Sequence, residues 1–382
     1  MKKVYFILVY TIIFFNSNLF SNEKNKILKV GLLAPLSGEY KDLGNSLLYS
    51  LQLALDEIDD KNVLIFPRDS GFNNKDKLNA AVQDIKAQGA NIIIGPLNYE
   101  EFDLIKKFDN MIFISPSNIN PEFKNNVISI GISLESQLMA LADFLKKQNK
   151  TRTLIMFPKN NYTNLINEKL AKLNLKFKTF VYNPSPEVLT AEIEKLTNYT
   201  QRKRNLELRK KMFEDKEDPQ SVKELERLDQ LYTLGDVDFD SLIIIDFGNS
   251  LKSVLTSLIY SDVNQEKVLF STINQWFDES IFYENTIKDL YYPSIDYKEF
   301  KKYNKKYFNK FKLNPNEITI LAYDALGLIY YAWKNNNNIK SINDFSFKSK
   351  IKGKIGTFSF KERKVTQELK IYRAANNKFT KF

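Results

Sequence analysis

From Ile27 onward, short continuous apolar runs alternate with apolar residues at helical spacing. The run Ile27–Leu33 leads into the loop Ala34-Pro-Leu-Ser-Gly38. Leu47, Leu51, Ala54, Leu55 and Ile58 then share one face of a helix over Ser46–Ile58. A short run with no wet face predicts a strand buried on both sides, and the 3.6-residue periodicity predicts the helices that cover it. The pattern continues through strands Val63–Pro67, Asn91–Ile94 and Met111–Ile114, with helices Lys75–Gln88 and Tyr99–Phe108 between them. After Ser133 a second series begins. It has helices Leu134–Lys147, Thr163–Leu173 and Glu187–Tyr199, and strands Thr153–Phe157, Phe177–Val181, Ser241–Ile245 and Val268–Phe270. A further helical face carries Leu251, Val254, Leu255 and Leu258. Two series of this kind predict an α/β fold of two Rossmann-like lobes with parallel sheets.

Three later segments depart from this rhythm. Thr200–Tyr232 is dense in both charge signs, which predicts solvated helices, divided at Pro219. It is either an arm that binds a partner or a charged excursion without one. Phe300, Tyr303, Tyr307 and Phe311 stand at helical spacing among lysines. Basic and aromatic residues interleave in this way at nucleic-acid surfaces, but the spacing favours a core-facing stripe. Glu317–Trp333 is amphipathic, and Thr357–Phe360 and Leu369–Tyr372 alternate as antiparallel strands do.

Composition narrows the chemistry. The chain of 382 residues contains neither Cys nor His, which removes thiol and Ser-His-Asp catalysis and the commonest metal ligands. No Gly-rich phosphate loop and no carboxylate pair at a meaningful spacing stands out, so the expectation is a protein without enzymatic activity, cofactor or metal. Lys2-Lys3, the apolar run Val4–Phe15 and the polar stretch to Ser21 have the layout of a secretory signal peptide over residues 1–21. The absence of Cys argues against a bacterial lipoprotein. The expected location is the periplasm, without stable membrane insertion. The net charge of +10 belongs to a drift towards Lys, Asn, Ile, Phe and Tyr across the whole chain, and export separates it from most nucleic acid.

The motifs Gly31-Leu-Leu-Ala-Pro-Leu-Ser-Gly38, Arg68-Asp69-Ser70, Ile94-Gly95-Pro96-Leu97, Ile114-Ser115-Pro116-Ser117 and Ala322-Tyr323-Asp324-Ala325 occur in that order. Together they resemble the type I periplasmic binding proteins, the leucine/isoleucine/valine-binding class. A narrower likeness is to the penicillin-binding protein activator branch. It rests on the charged insertion before Ser241–Ile245 and on Phe270-Ser-Thr-Ile-Asn-Gln-Trp276. The best-known activators are lipoproteins with an extra N-terminal helical domain, and this chain shows neither the lipidation Cys nor that domain.

The resemblance implies two lobes joined by a three-strand hinge. Residues 27–132 with 277–349 would form the first lobe. Residues 133–276 with 350–382, including the insertion at 200–232, would form the second. It also implies a cleft at the strand ends that closes on a small polar ligand, amino-acid-like or a muropeptide. Carried over by motif, the first-lobe loop residues are Ser37, Gly38, Pro96, Leu97, Asn98, Ser115, Ser117 and Asn118. On the second lobe Asn161 and Tyr162 follow a strand, Asp246 would meet a ligand amine, and Trp276 would close at the hinge. Ser-Gly and Ser-Pro are also ordinary turn chemistry, and Asp246 could instead serve the start of a helix. Two roles stay open: a regulator of a peptidoglycan synthase, or a receptor delivering amino acids or amides to an ABC permease.

Overall fold

The computed structural model describes residues 26–118, 126–274, 288–315, 318–336, 338–354, 356–361, 364–375 and 378–381. Strands Leu28–Ala34 (β1), Val63–Asp69 (β2), Ile92–Ile94 (β3), Ile112–Ser115 (β4) and Val127–Ser129 (β5) form one sheet in the order β2-β1-β3-β4-β5, parallel throughout. Helices Lys41–Ile58 (α1), Lys75–Ala87 (α2) and Phe102–Ile105 (α3) connect the first strands. Successive side chains of a strand face opposite ways, so one strand serves two cores. Val30, Leu32 and Ala34 of β1 pack with Leu47, Leu51 and Ala54 of α1. Leu33, with Ile93 and Phe113, packs against Leu78, Val82 and Ile85 of α2. Gly44 lets α1 approach the preceding loop, since a Cβ there would lie 2.0 Å from the carbonyl oxygen of Pro35.

Leu134–Lys147 (α4) opens the second half of the chain, its N-cap Ser133 accepting from the amide of Ser136. Thr153–Pro158 (β6), Thr163–Ala171 (α5), Phe177–Tyr182 (β7) and Pro186–Leu196 (α6) follow. Next come Tyr199–Lys211 (α7), Pro219–Asp229 (α8), Ser241–Ile244 (β8), Gly248–Tyr260 (α9), Leu269–Thr272 (β9) and Leu290–Ser294 (β10). Tyr297–Phe311 (α10) and Thr319–Asn336 (α11) precede the final strands Ile351–Lys352 (β11), Thr357–Lys361 (β12), Lys364–Glu368 (β13), Lys370–Ala375 (β14) and Lys378–Lys381 (β15). The second sheet has the order β15-β14-β10-β9-β8-β6-β7. It is parallel from β7 to β10 and antiparallel at β14 and β15. A small antiparallel sheet, β11-β12-β13, stands apart.

α10 and α11 return to the first core. Phe300, Tyr303 and Tyr307 are buried there, as the stripe predicted, and the Tyr303 hydroxyl hydrogen-bonds Ser50 and Thr319 inside it. Two stretches sit differently from the division expected from sequence. Leu290–Ser294, placed with residues 277–349 in the first lobe, pairs with β9 and β14 of the second sheet. Ile351–Glu368, placed in the second lobe, forms the small sheet, whose Phe358 and Val365 enter the first core. Short alternating strands specify a half-buried surface but not which sheet they complete. The change of lobe comes at β13, where Gln367 donates to the Ile130 carbonyl at 2.5 Å and its amide reaches Ser136 Oγ at 3.0 Å.

The charged insertion is two helices, α7 and α8, divided at Pro219. Asp218 caps α8 by accepting from the Ser221 amide. α7 has almost no apolar stripe, yet Arg202 and Leu206 are buried. The Arg202 guanidinium donates to the carbonyls of Thr197 (3.0 Å), Asp262 (3.1 Å) and Ser261 (2.5 Å), and to Thr233 Oγ1 (3.0 Å). Thr197 and Ser261 are the C-caps of α6 and α9. One side chain therefore fastens α7 to two helix ends whose carbonyls favour a cation.

Candidate binding cleft

Open parallel sheets bind ligands beyond the carboxyl ends of their strands. Here those ends, from both sheets, line two neighbouring chambers that share Asn118, Gln137 and Phe247. The first, about 230 Å³, is bounded by Tyr40, Phe72, Leu97, Asn98, Ser117 and Asn118 of the first lobe and by Phe247 and Asn274 of the second. The second, about 400 Å³, lies on the second lobe among Glu135, Asn160, Tyr162, Lys169, Asp246 and Phe247.

Ser37 and Gly38 follow β1 but line neither chamber. Ser37 Oγ donates to Asp69 Oδ2 at 2.5 Å and accepts from Lys77 Nζ at 3.0 Å. Asp69 Oδ1 takes the amides of Leu36 and Gly71. Burial by itself would raise the Asp69 carboxyl, but these bonds to the ionised form hold it at about 2, below its ordinary 3.8. Gly38 has φ +76°, the left-handed conformation a glycine adopts without strain. The Asp69 hub thus shapes the loop after β1 from behind.

Leu97, Asn98, Ser117 and Asn118 reach the first chamber, whereas Pro96 and Ser115 stand behind it. Ser115 is fully buried. Its hydroxyl donates to the Pro96 carbonyl at 2.5 Å and accepts the Ser117 amide at 3.1 Å. Gly131 permits this loop to approach the hinge, because a Cβ there would lie 2.0 Å from the Ser117 carbonyl oxygen. Other polar groups of the chamber are engaged with one another. Gln137 accepts from the Asn274 amide, and the Asn274 side chain donates to Pro293 and Ser294.

On the second lobe Tyr162 and Asp246 line the chamber, while Asn161 is exposed beside it. Asp246 is buried and accepts from the Phe247 amide (2.8 Å), Tyr182 Oη (2.5 Å) and Ser250 Oγ (2.5 Å). Burial, reinforced by the facing carboxylate, pushes the Tyr182 phenol well above its usual range. Asp246 therefore anchors the start of α9 and brings a negative charge to the chamber wall. Trp276 lies outside the described residues.

Tyr40 and Phe72 went unrecognised in the sequence. The one signal for Phe72 was its setting, Ser70-Gly-Phe-Asn-Asn74, a loop rich in turn formers. Lys169, 8% exposed, lies in the helix expected over Thr163–Leu173 but was not singled out. Among the described residues no His/Cys/Asp/Glu group could hold a metal, and no helix is long and apolar enough to cross a membrane.

This architecture is that of the type I periplasmic binding proteins. A family described as "Periplasmic binding protein" matches residues 27–174, less than half of the chain. No curated protein matches at the level of sequence. Full-length LpoA from Haemophilus influenzae superposes with a TM-score of 0.61 at 14% identity. The match covers 94% of this chain and 59% of LpoA, so the chain spans little more than half the length of that protein. The C-domain of LpoA (YraM), a regulator of PBP1A, gives a TM-score of 0.58 at 14% identity over 93% of this chain and 99% of the domain. LivJ from Streptococcus pneumoniae, a branched-chain amino acid transporter substrate binding protein in complex with isoleucine, gives 0.53 at 15% identity. That match covers 94% of this chain and 100% of LivJ. At the level of fold, the resemblance drawn from the motifs is borne out for both the leucine-binding class and the activator branch. The matched family is one of binding proteins.

Proposed function

We propose that this is an exported binding-fold protein that closes its cleft on a small ligand and passes the closed state to a peptidoglycan synthase through α7 and α8. The observation that carries this reading is the Arg202 clamp. It joins the insertion to the C-terminal ends of α6 and α9, so the insertion surface moves with the second lobe when the lobes close. A ligand that prefers the closed form shifts that population, and a partner on α7 and α8 senses the shift. The LpoA C-domain, a regulator with the same fold, supports the role.

The second reading is a receptor for an ABC importer of amino acids or amides, and the two-sided cleft and LivJ favour it. Capture of a purified peptidoglycan synthase by the full chain tests the choice. Binding that is lost when residues 200–232 are replaced by a short linker supports the regulator. No capture, together with a melting temperature raised by an amino acid, supports the receptor.

A further inference from the structure

Gly71, Phe72 and Asn73 have φ of +67°, +38° and +58°, three consecutive residues in the left-handed region. Glycine adopts that conformation readily, whereas a bulky residue such as Phe does so at a cost. Strain of this kind persists only where the surroundings over-determine it, and it gathers at sites of function. Here Asp69 accepts the Gly71 amide at 3.0 Å, and buried Glu101 accepts the Asn73 amide at 2.8 Å. The Asn73 side chain also takes a bond from Asn98 at 2.6 Å. The strained loop sets the Phe72 ring against Tyr40, with ring centroids 4.1 Å apart. Both rings line the first chamber, and Phe247, half exposed, faces it from the other lobe.

Among the described residues no Asp, Glu, Lys or Arg lines that chamber. The ionic groups of the cleft, Glu135, Lys169 and Asp246, all stand in the second. We propose that the chamber between Tyr40–Phe72 and Phe247 takes an uncharged six-membered ring of the ligand, and that the ligand's ionic end lies towards Lys169 and Asp246. The expectation from the motifs set Asp246 against a ligand amine, and here Lys169 stands in the same chamber as a partner for a ligand carboxylate. The chamber of about 230 Å³ is large enough, since cavities on the order of 150 Å³ accept benzene. Aromatic walls favour a flat or apolar ring face, which an aromatic side chain and a hexosamine ring both offer.

The inference rests on the reading that the cleft takes a ligand, and the test separates the two. The full chain is titrated calorimetrically with phenylalanine, N-acetylglucosamine and leucine, and the first two distinguish an aromatic from a sugar ring. One ring compound should bind more tightly than leucine. Phe72→Gly, which suits the left-handed backbone, should weaken it by about tenfold or more while melting within about 2 °C of the parent. Phe247→Ala should weaken it too. Leucine binding as well as either ring compound would overturn the inference and leave the cleft reading standing. Binding of none of the three would overturn both. A Phe72→Gly protein that melts far lower, or that binds the ring compound unchanged, would make Phe72 a packing residue and also overturn it.

Discussion

Replacing Arg202 with Ala removes a guanidinium from a buried position and strands four acceptors, three of them carbonyls at or beside the ends of α6 and α9. A hydrogen bond from a charged donor contributes about 1.5–3 kcal/mol, but the four share one group and do not add. The acceptors left behind are neutral, and stranding a buried polar group costs about 1–3 kcal/mol, so a loss of about 2–4 kcal/mol is expected for the shared group. Burial pushes the guanidinium pKa down and nearby Asp262 and Asp236 push it back, so the group stays charged at any ordinary pH. Arg202→Lys should recover only part of the loss, because an ammonium cannot reach acceptors spread over a planar fork. Urea unfolding followed by circular dichroism reads the stability. Limited proteolysis within residues 212–218, between α7 and α8, reads the attachment of the insertion. Cleavage should be much faster in Arg202→Ala. A loss below about 1 kcal/mol, or unchanged proteolysis, would mean that α7 is held by its apolar contacts and would remove the mechanical link proposed between cleft and insertion.

Two further outcomes follow from the site. Ser115→Ala deletes the donor to the Pro96 carbonyl and should lower unfolding stability by about 1–2 kcal/mol in urea, whether or not ligand is present. An affinity loss with no stability loss would instead put the hydroxyl on the ligand. Asp69 titrates at about 2 in the fold against an ordinary 3.8. Its stabilisation is therefore complete above pH 4 and is lost as pH falls from about 4 to 2. The shift corresponds to about 2.5 kcal/mol, reduced to about 1–2 by the solvent that reaches its side chain. Asp69→Asn should flatten that part of the acid-denaturation curve, and an identical curve would refute the hub.

How much of this was legible varied with the distance over which a residue finds its partners. Val30, Leu32 and Ala34 announce a doubly covered strand, and Phe300, Tyr303 and Tyr307 announce a buried face, because burial leaves a local period. Pro219 marked the break between α7 and α8 for a similarly local reason: it favours the first turn of a helix and disfavours the residues before it. Motif order pointed to the loops at the strand ends, and Leu97, Asn98, Ser117, Asn118, Tyr162 and Asp246 do reach the cleft.

The same motifs could not reveal that the Ser37 and Ser115 hydroxyls are engaged inside the protein. Their partners lie 32 and 19 residues away, and nothing periodic records such a pairing. Arg202 looked like one charge among many, and only the fold brings the end of α9, some 60 residues downstream, onto it. Phe72 carried no signal beyond its turn-rich setting, and only the fold sets its left-handed backbone at the chamber that Phe247 also lines. The sequence by itself determined the order of strands and helices, their buried faces and the absence of His and Cys. Tertiary structure alone decided which sheet each short strand joins, which polar groups remain for a ligand, and how the insertion is tied down. Periodicity records burial along one element, whereas hydrogen-bond satisfaction depends on groups that only the fold brings together.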